Sequence, residues 1–434
     1  MERYCGSNNR ARSPTKVMSR GRVTPPVHRQ KGLRHLPRNV WVMSATSLFN
    51  DISSEMLLNL IPFFLANILG VRTAVIGLIE GIAETTASLL KIFFGALSDR
   101  FGKRKPFAVV GYALSAFTKP FLYFASTWGW VLGVRVADRI GKGIRTAPRD
   151  ALIADSIDET QRGLAFGIHR AGDTLGAFLG LGIAAVVIWR TQAQALLLGL
   201  DTFRLVVLIS IIPAVLGVLV LALGAADTPA RLGAAGAGKG VEMQRLSLKE
   251  MNPRFKYFLF VLVLFTLGNS SDAFILLRGQ ERGLSLLHVM GMSLTFNAIY
   301  TVFAGPLGAW SDRVGRRRLM LIGWLAYGLV YLGLAFSQTG WQVWALFGLY
   351  GVYYAATEGA AKALVADLVP PAQRGAAYGL FNAAIGITVL PASLIAGLLW
   401  QGAGAWTGFG ASAPFFFGAL MALLAGVLFA RLVK

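Results

Sequence analysis

Apolar stretches of about 20 to 30 residues alternate along the chain with short polar turns. A helix needs about 20 mainly apolar residues to cross the hydrocarbon core of a bilayer, so each stretch predicts one transmembrane helix. The first six stretches, segments 1 to 6, lie at about 40–69, 74–98, 106–126, 128–154, 163–189 and 203–225. Segments 7 to 12 lie at about 255–278, 286–310, 318–337, 340–366, 374–400 and 411–432. The pattern predicts an all-α membrane protein with twelve transmembrane helices in two six-helix bundles.

Two polar regions divide the chain into four parts. The first 38 residues contain no apolar run, and a Gly/Ala-rich stretch followed by basic residues separates segment 6 from segment 7. The predicted parts are a disordered basic tail at 1–38, an N-terminal bundle at 39–226, a cytoplasmic linker at 227–254 and a C-terminal bundle at 255–434.

Composition agrees with a membrane protein. Of the 434 residues, 55% are hydrophobic and only 15% are charged, whereas soluble proteins carry about 25% charged residues. A soluble enzyme, a fibrous protein and a disordered chain are therefore disfavoured, and lipid is the expected surrounding. The single cysteine, Cys5, excludes an intramolecular disulfide and a thiolate metal cluster.

The net charge of +21 is concentrated in the tail, where ten Lys and Arg residues lie among the first 38 residues. The tail lacks the apolar core of a secretory signal. It is either an arm that binds anionic lipid headgroups or a disordered tail, with Met18 as an alternative start. The apolar character of the remaining chain argues against nucleic-acid binding.

Basic residues also flank the segments unevenly. The tail, the linker and the turns near Arg100 and Arg313 are all basic and lie on one predicted side of the membrane. The other side holds only Arg72, Arg190, Arg204, Arg278 and Arg282. Because cytoplasmic loops carry an excess of Lys and Arg, both termini of this multi-pass protein are predicted to be cytoplasmic, in the inner membrane.

Two sequence blocks occur twice with nearly the same offset. Residues 95–105 (GALSDRFGKRK) return as 308–318 (GAWSDRVGRRR), and 151–155 (ALIAD) return as 363–367 (ALVAD). The repeat unit is therefore about six segments long, which indicates duplicated, pseudo-symmetric halves. Such halves can rock around a site that lies between them.

The first block resembles the signature loop between helices 2 and 3 of the major facilitator superfamily, and its second copy stands between segments 8 and 9, as in that family. The resemblance covers the chain after the tail and implies a two-bundle transporter fold with alternating access. It also implies that Asp99 latches one conformation against the other bundle. The predicted gate-loop residues are Gly95, Asp99, Arg100, Gly102, Arg104, Gly308, Asp312, Arg313 and Gly315.

Ionisable residues inside the segments are costly in lipid and are candidate functional groups. On segment 4 a cationic stripe with one acid lies within a sector of about 120°; its members include Arg135, Asp138, Arg139, Lys142 and Arg145. Segment 4 lines the central cavity in the resembled family. The proton-coupling candidates on segments 1 and 2 are Asp51, Glu55, Glu80 and Glu84. Further candidates for substrate binding or charge relay are Arg170, Asp173, Asp272, Glu358 and Lys362.

Three interpretations of these charges are open. One carboxylate could carry a proton, because burial disfavours its charged form. The bases of segment 4 could bind an anionic substrate through charge-assisted hydrogen bonds. Alternatively, the nearly equal numbers of acids and bases could neutralise each other in a purely structural role.

These observations predict a secondary transporter that acts on a small-molecule substrate with protons as the coupling partner, as a monomer in the lipid membrane. Export of a small organic solute or drug is the first hypothesis, and uptake or exchange of an organic anion is the second. The four histidines form no catalytic pattern, and no nucleotide-binding loop is present. The sequence predicts no enzyme activity, no cofactor and no metal.

Overall fold

A computed structural model describes residues 36–101, 103–157, 161–227, 251–370 and 373–433. The predicted tail lies outside the described residues except for its last three, and so does the linker between 228 and 250. Each of the twelve predicted segments contains a helix, and the regular secondary structure of the described residues is helical throughout.

The first half contains seven α-helices. They are α1 (Arg38–Leu58), α2 (Ile61–Phe63), α3 (Thr73–Phe101), α4 (Lys105–Thr118), α5 (Trp128–Asp155), α6 (Arg162–Gln192) and α7 (Leu200–Gly224). Segment 1 continues beyond α2 as a π-helix, Phe64–Ile68, and segment 3 continues beyond α4 as a 3₁₀ turn, Lys119–Leu122. Pro120 has no backbone N–H, which favours the end of the α-helical ladder at Thr118.

The second half also contains seven α-helices. They are α8 (Pro253–Gly268), α9 (Ala273–Glu281), α10 (Leu286–Val314), α11 (Arg316–Phe336), α12 (Gly340–Leu368), α13 (Arg374–Gln401) and α14 (Ala413–Leu432). Segment 7 is thus interrupted between α8 and α9, where the polar residues Asn269 to Asp272 follow one another. A break of this kind inside a membrane protein is tolerated where the backbone lines a cavity.

Nine helical stretches among the described residues are long and apolar enough to cross a membrane. The three predicted segments that are not among them contain α1, α5 and α12. These helices carry ionisable residues such as Asp51, Arg135 and Glu358. Their polarity suits helices that face an interior cavity better than helices that face lipid.

Helix packing follows the two halves of the repeat. In the first half α1 packs against α6 and α7, and α5 packs against α3 and α4. In the second half α12 packs against α10 and α11, and α14 packs against α8 and α11. The halves meet along two seams, α3 with α13 and α6 with α10.

Glycine brings the α3–α13 seam into backbone contact. A Cβ atom at Gly77 would overlap the carbonyl group of Ser393, and one at Gly397 would overlap the backbone at Thr73. Neither neighbouring atom belongs to a flexible side chain, so larger residues at these positions would push the halves apart. Small residues allow such close helix approach in membrane proteins.

The two ends of the molecule differ in charge. We call the end with Arg100 and Arg313 the basic end, and the end with Arg72 and Gly404 the opposite end. At the opposite end the halves are hydrogen-bonded. Arg72 donates to the carbonyl oxygen of Gly404 at 2.9 Å, and the backbone N–H of Thr73 donates to Gln401 Oε1 at 2.8 Å. These contacts join the two halves at the opposite end in this conformation.

The repeated sequence blocks meet in space. In the first half Arg104 forms an ion pair with Asp155 at 3.5 Å. In the second half Arg316 forms an ion pair with Asp367, the repeat equivalent of Asp155, at 2.5 Å. The two aspartates are repeat equivalents, whereas the two arginines are not, since Arg104 aligns with Arg317. Each half thus has an arginine–aspartate contact at the basic end, formed from neighbouring positions of the repeated block.

Candidate functional site

A cavity of about 600 Å³ lies between the two halves. Its first-half wall carries Glu55 from α1 together with Glu80 and Glu84 from α3. Its second-half wall carries Asp272, just before α9, and Glu358 and Lys362 from α12. The ionisable groups that line it are therefore mostly acids.

Two of these acids are neutralised by the cationic stripe of α5. Arg135 Nη2 donates to Glu80 Oε2 at 2.6 Å, and the exposed fractions of the two side chains are 5% and 7%. Arg139 Nη2 lies 3.0 Å from Glu84 Oε1, which is more exposed toward the cavity. Residues four apart share a helix face, so the spacing on both helices aligns the two pairs.

Glu55 and Asp272 have no partner among the ion pairs of the described residues. Glu55 Oε2 accepts a long hydrogen bond of 3.5 Å from Asn59. Asp272 Oδ1 accepts a hydrogen bond of 3.0 Å from the hydroxyl of Tyr350. One such carboxylate therefore belongs to each half, and both line the cavity.

A second cavity of about 100 Å³ lies within the first half. Glu55 lines this cavity as well as the larger one, so its side chain stands between them. The other ionisable residues that line the small cavity are Asp51, Lys119, Arg135, Asp138, Arg139, Lys142 and Arg145. Arg135 and Arg139 are paired with acids of α3. The remaining ionisable residues that line the small cavity are three acids and three bases, namely Asp51, Glu55, Asp138, Lys119, Lys142 and Arg145.

Two of these residues are fixed by hydrogen bonds to neutral groups. Asp51 Oδ1 accepts a bond of 3.0 Å from Asn50, and Arg145 Nη1 donates to Ser115 Oγ at 2.5 Å. The guanidinium of Arg145 also lies 4.6 Å from the ring centre of Tyr112. These contacts hold the charges in place without neutralising them.

Lys119 is a member of this cluster that the sequence interpretation missed. Only 4% of the residue is exposed, and its ammonium group donates to Ser53 Oγ at 2.5 Å and to Ser54 Oγ at 3.2 Å. The available signal was a lysine inside the apolar run of segment 3. Such a residue is a candidate functional group by the same argument as the acids of α1.

The predicted residues of α6 point to two different places. Asp173 Oδ2 lies 3.6 Å from His169 Nε2, and His169 in turn lies 3.5 Å from Ser47 Oγ on α1. Asp173 is therefore an α1–α6 contact and does not line the cavity between the halves. Arg170 instead reaches the second half.

Arg170 begins a polar bridge between the halves. Arg170 Nη2 donates to the hydroxyl of Tyr300 at 2.7 Å, and this hydroxyl donates to Glu358 Oε2 at 2.5 Å. Lys362 Nζ donates to the other oxygen of Glu358 at 3.1 Å. Tyr300 was not predicted, because a tyrosine in an apolar segment gives no distinctive sequence signal. The bridge joins α6 to α10 and α12.

Breaking this bridge should change the conformational equilibrium. Tyr300→Phe removes the hydrogen bond that crosses between the halves, from Arg170 to the Tyr300 hydroxyl, and the bond from this hydroxyl to Glu358 within the second half. The crossing bond is worth about 1–2 kcal/mol, so we expect this conformation to lose population about 5- to 30-fold relative to its alternative. The change can be measured as distance distributions between spin labels at the exposed residues Phe101 and Arg313.

Tyr378→Phe is the matched control, because the Tyr378 hydroxyl donates to the carbonyl of Lys362 within the second half. An unchanged distribution in Tyr300→Phe, or an equal change in both variants, would contradict a bridging role.

The predicted gate loops are described in part. Gly95 packs against Ala147 of α5, and Gly315 has a φ of 94°, a conformation that glycine adopts without strain, at the start of α11. Arg104 is buried and donates to Ser98 Oγ at 3.0 Å. Arg100, Arg313 and Gly308 lie at the basic end of their helices. Gly102 and the side chains of Asp99 and Asp312 lie outside the described residues, so the latch stays a prediction.

The second-half wall of the large cavity is aromatic. Phe265 and Trp324 stack with their ring centres 4.6 Å apart, and Phe296 and Phe347 stack at 4.7 Å. Tyr354 meets Phe296 edge-on at 5.7 Å. All five line the cavity. Within the part of the chain that the structure describes, no group of three or more His, Cys, Asp or Glu residues is arranged to hold a metal ion.

A helical membrane protein with a polar cavity between two related halves has the architecture of a secondary transporter. Residues 43–298 and 258–434 match the profile of the Major Facilitator Superfamily. The chain belongs to this superfamily, whose members are transporters and not enzymes. The family and the fold predicted from the repeated loop are thereby confirmed.

Individual relatives agree with this assignment. The chain is 34% identical over 403 residues to an uncharacterised MFS-type transporter of Methanocaldococcus jannaschii, covering 91% of this chain and 95% of the relative. It is 27% identical over 328 residues to the multidrug resistance protein MdtH of Photorhabdus laumondii, covering 72% and 74%. The crystal structure of the nucleoside transporter NupG matches with a TM-score of 0.73 at 14% identity, covering 91% of this chain and 99% of that one.

Proposed function

We propose that this transporter couples proton entry to export of a small organic solute, with Glu55 as the proton carrier. The observation that carries the proposal is the position of Glu55. Its carboxylate lines both cavities and takes part in no ion pair among the described residues. A carboxylate that lines both cavities and that no cation holds is accessible to a proton from either cavity, which suits a group that binds and releases one.

Nearby bases provide the means of release. Lys142 and Arg139 lie on the α5 face that lines the small cavity with Glu55. If rocking of the halves brings these bases closer to Glu55, the charged carboxylate is favoured and the proton leaves. If they move away, protonation is favoured. Alternating access then links the proton to the conformation of the cavity.

Two observations support export of an organic solute. The large cavity is lined by aromatic rings as well as carboxylates, which suits a solute with an apolar body. In addition, one relative of similar length bears the name of a multidrug resistance protein. Exchange of an organic anion has less support, because Arg135 and Arg139 are already bound to Glu80 and Glu84.

The orientation belongs to the same proposal. With the basic end toward the cytoplasm, as the excess of Lys and Arg favours, both termini are cytoplasmic and the opposite end, where the halves are hydrogen-bonded, faces outward. Two six-helix bundles, 39–226 and 255–434, then rock about the cavity as one monomer in the inner membrane.

The proposal can be tested with purified protein in liposomes that enclose a pH-sensitive dye. Amines, neutral aromatics, sugars and organic acids are added in turn under an imposed pH gradient. We expect proton movement that depends on both the protein and one solute class, in the direction opposite to the solute. Solute movement that leaves the internal pH unchanged would contradict proton coupling, and proton and solute movement in the same direction would contradict export.

A further inference from the structure

We infer that the cavity between the halves binds an organic cation with an aromatic body, with Asp272 as the counter-ion. This inference rests on the proposed function, because it assigns a substrate class to the same cavity. It names a binding group in the second half, whereas the proton carrier proposed above belongs to the first half.

The charges that line the large cavity favour a cation. Glu80, Glu84 and Glu358 each have a basic partner, and Lys362, the one base that lines the large cavity among the described residues, is bound to Glu358. Asp272 forms no ion pair in the described part of the chain. Its unneutralised charge attracts a cation and repels an anion.

The position of Asp272 also favours a cation. Asp272 lies in the break between α8 and α9, where the helix interruption exposes polar groups to the cavity. The Tyr350 hydroxyl binds Oδ1 at 3.0 Å and fixes the carboxylate. The structure describes no hydrogen bond to Oδ2, so this oxygen is available to a bound cation.

The cavity wall around the carboxylate favours a ligand with an aromatic body. The stacked pairs Phe265–Trp324 and Phe296–Phe347 line the same half of the cavity as Asp272. Aromatic faces attract cations and pack against flat apolar groups. A volume of about 600 Å³ lies within the range of small-molecule sites. The carboxylate of Asp272, the aromatic rings beside it and the volume of the cavity together favour a cation with an aromatic body.

Equilibrium dialysis in detergent, without any gradient, tests this directly. The probe is tetraphenylphosphonium, whose charge does not depend on pH, and the comparison ligand is triphenylphosphine oxide, which has similar rings and no net charge. We expect Asp272→Asn to weaken tetraphenylphosphonium binding about 10- to 100-fold, because the variant loses the coulombic attraction between the carboxylate and the phosphonium. Binding of the neutral ligand should change less than about threefold.

Two control variants separate charge from packing. Asp201→Asn makes the same chemical change at an exposed position on α7, outside the cavity, and should leave both affinities unaltered. Phe296→Leu should weaken both ligands, because it removes an aromatic face.

The inference is overturned if the wild-type protein binds the neutral ligand as tightly as the cation, or if Asp272→Asn weakens both ligands equally. Its failure is distinguishable from failure of the proposed function. Dialysis needs no proton movement, so a protein that binds the cation through Asp272 but shows no coupled transport would refute the coupling alone.

Discussion

Glu80→Gln is expected to lower the free energy of unfolding by about 3–5 kcal/mol, because it leaves the guanidinium of Arg135 buried without a counter-charge. The two side chains are only 5% and 7% exposed and lie 2.6 Å apart. Removal of one partner therefore loses the attraction between the two charges. It also leaves the desolvation cost of the remaining buried charge uncompensated. The change can be measured by reversible unfolding in mixed micelles.

A double-mutant cycle gives this prediction its control. Glu80→Gln combined with Arg135→Gln removes both charges and should recover a large part of the loss, since the remaining pair is neutral. The pair Arg316–Asp367 is the external comparison. Its side chains are 31% and 52% exposed, so Asp367→Asn should cost less than about 1 kcal/mol.

A Glu80→Gln effect as small as that of Asp367→Asn would contradict the idea that α3 and α5 are held by a buried ion pair. A large effect without recovery in the double variant would point to a packing role for Glu80 instead. The result also bears on function, because a strongly stabilising pair is unsuited to exchange partners during transport. It would remove Glu80 and leave Asp51, Glu55 and Glu84 as the candidates for proton binding.

The helices and the duplication were predictable because both leave simple traces in the sequence. Hydropathy marks the segments, and the related blocks GALSDR at 95 and GAWSDR at 308 mark the repeat without knowledge of packing. The interruptions were harder to predict. Nothing in the apolar pattern fixes the end of α8 at Gly268 or the π-helix at Phe64–Ile68, since these depend on neighbouring helices.

The contacts of the candidate site were predictable only where the spacing of residues along a helix determines which side chains share a face. The four-residue spacing of Glu80 and Glu84 matches that of Arg135 and Arg139, so facing pairs could be anticipated. The pairing of each acid with a particular base depends on how far α3 and α5 are shifted along their axes relative to each other. No local sequence pattern encodes this shift. Asp173 illustrates the limit, because its helix position left open whether it faces the cavity or α1.

Neutral partners were missed for a related reason. Tyr300 becomes important only because its hydroxyl stands between Arg170 and Glu358, three residues from three helices. The aromatic wall around Asp272 is likewise assembled from α8, α10, α11 and α12. In an apolar sequence such rings look like ordinary core residues, and the assembled cavity distinguishes them.

Glu55→Gln should abolish the response of transport to a pH gradient while leaving exchange intact. Glutamine resembles the protonated acid in shape and charge, so the variant can still bind solute and rock, but it can neither take up nor release a proton. Coupling free energies between sites are typically about 1–3 kcal/mol, or 5- to 150-fold. We therefore expect the ratio of driven to undriven flux to fall from this range to about 1.

The measurement pairs two assays on the same proteoliposomes. Gradient-driven flux reports coupling, and solute counterflow without a gradient reports binding and rocking. Asp51→Asn is the matched variant one helical turn away, where the carboxylate lines the small cavity only. If driven flux is preserved in Glu55→Gln and lost in Asp51→Asn, then Asp51 and not Glu55 is the proton carrier. Preserved driven flux in both would exclude α1 from coupling.

The pH dependence of cation binding tests the roles of Glu55 and Asp272 together. If Glu55 exchanges a proton and Asp272 holds a cation across the same cavity, higher pH adds negative charge at Glu55 and should strengthen cation binding. The wild-type affinity for tetraphenylphosphonium should then rise with pH, and that of Glu55→Gln should stay flat. A slope that persists in Glu55→Gln would mean that another group titrates. A slope of opposite sign would mean that proton and cation bind together, which is incompatible with exchange of one for the other.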